Sequence, residues 1–400
     1  MITSLTNYKN SLYSTHENDF YNGVVKVSNG TNYGTGSLLY DGKSIITAAH
    51  IFKGFPTNNI TVSFDTASGF KTYNATFKEY PDHDSINANG DLAILTLEEH
   101  SDFKYQRYNL YTSHDEIGKD FTMVGYGSYG SGLTGELNDE TETLKLKTQN
   151  TFEAYFDDVY NAPNTNLQWI PLEETMLTAD FDNGLKKNDA LDNILNIKDL
   201  GLGDTEGMIA AGDSGGPAFI NNQIAGIASY TAAVSVGDIN TDINEKDDSS
   251  FGELGAWQRV SHYAKWIDKT IRDGYENAPK TKEDVEDFVV ESDNEMQYIY
   301  FFLEYTGNRD DIKENITLHY TTRDGSATAG EDYIALSGVI TLYEDESSVP
   351  IAVEILADNK VEEDETFYLD VTSPSHGSFG DGITTLTAMK TIVNDDIFIA

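Results

Sequence analysis

Ser214 lies in the string Ala211-Gly-Asp-Ser-Gly-Gly-Pro217. Glycines on both sides allow a tight turn that pushes its hydroxyl into solvent. The same turn aims the backbone N–H groups of Gly212 and Ser214 at one point, where they could hold an oxyanion as a carbonyl is attacked. A serine alone is a weak nucleophile at neutral pH, so the chemistry needs a base and an acid to orient that base. Ile45-Ile-Thr-Ala-Ala-His-Ile51 offers His50 at the end of an apolar strand, and Asn89-Gly-Asp-Leu-Ala-Ile-Leu95 offers Asp91 at the head of another. In such a set the imidazole takes the serine proton and returns it to the leaving group, while the carboxylate fixes the tautomer.

Each element has a plain alternative. A Gly-Asp-Ser-Gly string alone is often only a turn, an Ala-Ala-His is often a half-buried histidine, and an Asp-Leu-Ala-Ile-Leu is usually a strand start. Their order decides the matter: His, then Asp, then Ser differs from the order in subtilisins and in α/β-hydrolases. Over roughly residues 20 to 272 the chain resembles the trypsin/chymotrypsin-like serine endopeptidases, of bacterial rather than vertebrate type. The resemblance implies a double β-barrel with His50, Asp91 and Ser214 as catalytic residues and the amides of Gly212 and Ser214 as the oxyanion hole. It further implies that Ser229 touches Asp91 and that the backbone of Tyr230 and Thr231 pairs with substrate. Met208, six residues before the nucleophile, would floor the first specificity pocket and favour small or apolar side chains. In the family's zymogens a newly cut amino terminus pairs with the aspartate before the nucleophile, here Asp213. Asn22-Gly-Val-Val25 is the nearest candidate for that terminus. The remaining seven histidines, His83 and His114 among them, are expected at the surface.

Acidic residues outnumber basic ones 67 to 26, for a formal charge of −41. Such a surface repels phosphate backbones and disfavours nucleic-acid binding. It suits solubility in high salt or a calcium-rich exterior. There are no cysteines, so no disulfide framework exists, and no apolar run is long enough to span a membrane. The first residues contain no apolar signal core. The acidic-then-apolar ending Asp395-Asp-Ile-Phe-Ile-Ala400 resembles the tail of type I secretion substrates; export by that or another route and retention inside the cell stay open, and a secreted or surface location is the expectation.

These groups need a scaffold. Short alternating apolar runs and scarce helical periodicity predict a mainly β chain of two domains. Asp41-Gly42 between Gly34–Tyr40 and Ser44–His50 predicts a hairpin that carries His50. Phe121–Gly127 resembles the family strand that opens the second barrel, residues 132 to 207 read as acidic surface insertions, and Asn188–Leu202 is read as holding a short helix. Val260–Ile271 has helical spacing at Tyr263, Trp266, Ile267 and Ile271 and closes the first domain, set at 1–272.

A charged linker (273–287) leads to alternating strands over 288–400, the pattern of an immunoglobulin-like β-sandwich. Tyr320–Tyr333, Ala357–Phe367 and Thr391–Asp396 resemble the Calx-beta module. That resemblance, over residues 283 to 396, implies a calcium site built from loop carboxylates: Glu291, Asp332, Asp358, Glu362, Asp395 and Asp396. Calcium accepts six to eight oxygens at loose geometry. Two of the module's acidic triplets stand here as Ala357-Asp358-Asn359 and Asn394-Asp395-Asp396, which implies weaker binding; the competing possibility is a structural sandwich with solvated acidic loops. The expectation is a secreted serine endopeptidase acting on protein or peptide substrates, with a calcium-binding accessory domain and a possible cell-surface or matrix partner. The alternatives are a catalytically idle protease-like scaffold in a calcium-dependent adhesion protein, and a cytoplasmic quality-control protease.

Overall fold

The computed structural model describes residues 2–4, 8–16, 18–55, 59–102, 104–137 and 144–396. The chain divides into two compact units, Met1–Asp268 and Lys269–Ala400. In the first, six antiparallel strands close a barrel in the order Val24–Ser28, Tyr33–Leu38, Ser44–Thr47, Ala93–Leu97, Gly69–Glu79, Thr61–Thr66. Alternation points Val25, Val27, Leu38, Ile45, Phe64 and Leu95 into a shared core. The Asp41 side chain accepts from the Ser44 amide and hydroxyl, and Gly42 takes a positive φ, which makes the expected hairpin turn.

The second barrel is a seven-strand sheet whose two outer members, Leu146–Phe152 and Ala154–Tyr155, are consecutive pieces of one run broken at Glu153. The run pairs with Lys119–Gly125 before the break and with Met176–Asp180 after it, so it closes the sheet on itself. Its core gathers Phe121, Met123, Phe152, Leu177 and Trp257.

The described residues of 132–207 are therefore not all surface insertions, while 138–143 lie outside the described residues. The former supply three of the barrel's strand segments. The segment Leu146–Phe152 hid because its inward positions include Thr148 and Asn150, both buried. The Asn150 side-chain amide donates to the carbonyls of Asp180 and Gly207 at 2.7 and 3.2 Å, which compensates for its burial. A short helix, Ala190–Leu195, does fall within 188–202. The helix Val260–Asp273 buries Tyr263, Ile267 and Ile271 as its spacing requires.

The second unit is a β-sandwich. One sheet runs in the order Phe288–Val290, Thr385–Val393, Glu365–Thr372, Ile316–Asp324, Ser337–Leu342; the other pairs Gln297–Glu304 with Ser348–Ile355. Phe301 meets Phe367 edge-on at 5.8 Å and Tyr333 stacks on Phe367 at 4.5 Å, in a core shared with Ile351 and Val353.

Candidate active site and acidic loops

The strand Ser44–Thr47 leads into a single 3-10 turn, Ala49–Ile51, that carries His50. The histidine thus sits just beyond the strand rather than at its end. The Asn29 side chain holds the turn by donating to the Ile51 carbonyl at 2.7 Å. Asp91 follows a tight turn in which Ala88 and Gly90 both take positive φ. The Asn89 side chain pins this turn, donating to Ile170 O and accepting from Leu172 N, each at 2.8 Å.

On the opposite wall, Gly212 and Gly215 adopt φ of 91° and 82°, a region that disfavours side chains. A Cβ on Gly215 would also lie 2.2 Å from the Thr35 carbonyl. The Thr35 amide donates to the Ser214 carbonyl at 2.8 Å, which ties the serine turn to the first barrel.

These three elements bring the expected residues together. His50 Nε2 lies 2.9 Å from Ser214 Oγ, and His50 Nδ1 lies 2.6 Å from Asp91 Oδ2. Asp91 also accepts from the His50 amide at 2.8 Å and from Ser229 Oγ at 2.5 Å. An ionised carboxylate can only accept, so the Nδ1 proton faces Asp91 and the Nε2 lone pair faces the serine hydroxyl. Asp91 is 1% exposed, whereas the His50 side chain keeps 41% of its surface open.

Burial opposes a charge on His50, but the bond to Asp91 and its charge outweigh that effect and hold the imidazole pKa above its ordinary value. Burial likewise opposes ionisation of Asp91, and the His50 and Ser229 bonds overcome it, so the carboxyl stays below the usual range. Among the described residues, neither the Gly212 nor the Ser214 amide donates a hydrogen bond. Both remain available to a bound oxygen.

Ser229 therefore lies where expected. Tyr230 and Thr231 stand on the strand Gln223–Ala232, which pairs with Pro217–Ile220 only as far as Ile227. Beyond it, that edge has no strand partner among the described residues and lies open on the Ser214 side. Met208 differs from its expected place. It is wholly buried in the second-barrel core, its sulfur against Gly255, and offers no surface to a bound side chain.

Asn22–Val25 also differs. Gly23 packs on the Gln106 carbonyl and Val24 begins a first-barrel strand, so this stretch cannot deliver an amine to Asp213. The strand Ile2–Ser4 runs antiparallel to Gly207–Ile209 instead. Asp213 accepts from the amides of Gly127 and Ala210 at 2.8 and 2.9 Å. Burial pushes its carboxyl up to about 6, opposed by the bond it accepts from the Ala210 amide.

His83, expected at the surface, has a side chain only 2% exposed. Its Nδ1 lies 2.5 Å from Glu79 and its Nε2 lies 3.6 Å from Asp91 Oδ1. The Glu79–His83 spacing is the only signal in the sequence, and it carries no hint of Asp91. His114 is exposed, as expected.

In the second unit the six expected carboxylates meet at one end of the sandwich. Asp332 and Glu362 group with Glu365, and Asp395 and Asp396 group with Asp293, with carboxylate oxygens within 4.8 Å inside each group. Burial pushes Glu291 up to about 7, reinforced by the charges of Asp358, Asp332, Asp396 and Asp395. Asp293 and Glu365 are additions that the motif match did not name. The donor set is all oxygen, and Asp396 Oδ2 is buried without a partner. Both features fit a calcium ion.

Residues 12–190 match the trypsin family model and residues 283–396 match the Calx-beta domain model. A stretch of 69 residues is 33% identical to the sodium/calcium exchanger Calx of Drosophila melanogaster, covering 17% of this chain and 7% of the exchanger. Among solved structures, neuropsin, a serine protease expressed in the limbic system of mouse brain, aligns at 15% identity and a TM-score of 0.46. That alignment covers 65% of this chain and 98% of neuropsin. Among the described residues, no helix is long and apolar enough to cross a membrane. The chain carries a trypsin domain, matched over residues 12–190, followed by a Calx-beta domain over residues 283–396.

Proposed function

We propose that the chain is a serine endopeptidase. The observation that carries this reading is the unbroken line from Ser214 Oγ through His50 to Asp91. A substrate strand lies along the open edge at Tyr230 and Thr231 and gains affinity through main-chain bonds. Ser214 Oγ attacks the scissile carbonyl as His50 Nε2 takes its proton, and the amides of Gly212 and Ser214 receive the oxyanion. His50 then gives the proton to the leaving amine, and water repeats the sequence to free the acyl group. Asp91 stabilises the imidazolium throughout. Position 208 carries methionine rather than a carboxylate that would select a basic side chain, and small or apolar residues before the scissile bond are the preference that follows.

In the Calx-beta domain, Glu291, Asp332, Asp358, Glu362, Asp395 and Asp396, joined by Asp293 and Glu365, hold calcium, whose charge adds to that of Lys360, the loop cation paired with Glu362. The loss of acidic residues from its triplets places affinity in the millimolar range of extracellular modules, ~10⁻⁴–10⁻³ M. Such a site fills outside the cell and not in the cytoplasm. The protease therefore works as a secreted or surface protein, with the second domain free to contact a surface or matrix partner. A scaffold role is disfavoured because a scaffold has no need of three side chains in hydrogen-bonding order. Incubation with a proteome-derived peptide library tests the proposal. Cleavage that Ser214→Ala abolishes supports it, and a folded wild-type chain that cuts nothing sinks it. A preference for arginine before the cut would overturn the specificity.

A further inference from the structure

The second barrel carries another acidic cluster, remote in sequence from the Calx-beta loops. Asp180 ends the strand Met176–Asp180, Asp182 follows two residues later, and Asp189 caps the helix Ala190–Leu195. One oxygen from each lies within 4.8 Å of the others. All three are enclosed, with exposures of 1%, 2% and 1%. Glu153, at the break that closes the barrel, reaches the same place: its Oε1 accepts from the Asp180 amide at 3.4 Å.

The hydrogen bonding sorts these oxygens into two kinds. Asp180 Oδ2 accepts from Leu191 N at 2.8 Å, and Asp189 Oδ1 accepts from Asp192 N at 2.7 Å. Glu206 spends both oxygens on amides, those of Asp182 and Leu202, each at 2.6 Å, and so positions Asp182. What remains is Asp180 Oδ1, Asp182 Oδ1 and Glu153 Oε2, all buried and reached by no donor, with the Glu153 and Asp180 carboxyls within hydrogen-bonding reach of each other. Among the described residues no basic side chain bonds to any of these carboxylates. The nearest candidate, Lys186, is exposed and engages Asp192 instead.

Unpaired charge inside a protein is costly, and an unpartnered carboxylate oxygen there is costly too. A cation resolves the conflict. The donors are hard oxygens on three separate elements, with no His or Cys, which suits calcium better than zinc or another softer metal.

We propose that Asp180, Asp182 and Asp189, with Glu153, form a calcium site inside the second barrel, separate from the Calx-beta loops. The ion ties the segment 181–206 to the barrel wall. That segment leads directly into Gly207–Ile209 and the turn bearing Ser214, so the site stabilises the wall beside the nucleophile. Its residues take no part in the acyl-transfer chemistry, and binding can be measured whether or not the chain is an active protease.

The test uses the full chain as Ser214→Ala, to exclude self-digestion, with calcium alone as the probe. Calorimetric titration and thermal melts compare this protein with Asp395→Asn/Asp396→Asn, which impairs the second unit, and with Asp180→Asn/Asp182→Asn. The first variant should still bind calcium, and its protease-unit transition should still rise by several degrees with calcium. The second variant should lose that rise while keeping the calcium response of the Calx-beta unit. A protease-unit transition indifferent to calcium, or a rise that survives Asp180→Asn/Asp182→Asn, overturns the proposal. Should the double variant fail to fold, crystals of the Ser214→Ala chain grown with terbium decide the point. An anomalous peak among the three aspartates supports the site, and its absence with terbium bound elsewhere removes it.

Discussion

His50 is held between two demands: it must be neutral to accept the Ser214 proton, yet Asp91 favours its charged form. Its pKa is accordingly raised, so activity should climb with pH through a midpoint above the ordinary imidazole value of 6.5. Asp91→Asn removes the group that does the raising while burial remains. The acid limb of the rate profile should then move to lower pH, and kcat should fall about 10⁴-fold because the favoured tautomer is lost. An unshifted limb in that variant would show that Asp91 does not set the His50 pKa. The linkage to stability runs the opposite way from activity. A raised imidazole contributes fully to folding below its unfolded value, and that contribution fades as pH rises through the folded one. His83 touches the same carboxylate from the other side. Replacing it with Phe should lower kcat with little change in KM, and steady-state kinetics would reveal a purely structural role as no change in either.

The three catalytic groups ride on turns, and those turns were legible where their chemistry is local. Asp41-Gly42 and the glycines around Ser214 announce themselves because only certain residues adopt such backbone. Gly215→Ala should be strongly destabilising, since a Cβ there meets the Thr35 carbonyl at 2.2 Å in a positive-φ backbone. Strain alone costs about 1–3 kcal/mol, and denaturant unfolding of the Ser214→Ala background would measure the loss. What stayed hidden depended on distant partners. Leu146–Phe152 reads as polar surface because Thr148 and Asn150 face inward, and only the carbonyls of Asp180 and Gly207 make that tolerable. His83 and the buried carboxylates at 153, 180, 182 and 189 were missed for the same reason. Burial of a polar side chain is a property of the folded neighbourhood and leaves no periodic mark in the chain. Met208 was placed by its spacing from Ser214, but the neighbouring core closes over it.

Two units share a formal charge of −41 with no disulfide to restrain them. Self-repulsion on this scale should make both thermal transitions rise as salt is added toward physiological strength, where the screening length is about 8 Å. Calcium should act on top of that effect and more selectively. In chelator the Calx-beta transition should fall by several degrees, and Asp395→Asn/Asp396→Asn should leave it unresponsive to calcium. Differential scanning calorimetry at matched ionic strength separates the two effects, because sodium can reproduce screening but not coordination. A Calx-beta transition that responds equally to sodium would mean that its acidic loops are merely solvated.

The hydrolase reading stands on Ser214 being a nucleophile in the resting protein. Intact-mass measurement after exposure of the native chain to a fluorophosphonate at neutral pH asks whether it is. A single covalent adduct mapped to Ser214, absent after heat unfolding and absent in Ser214→Ala, is the expected result. A native, calcium-saturated chain that stays unmodified would contradict it.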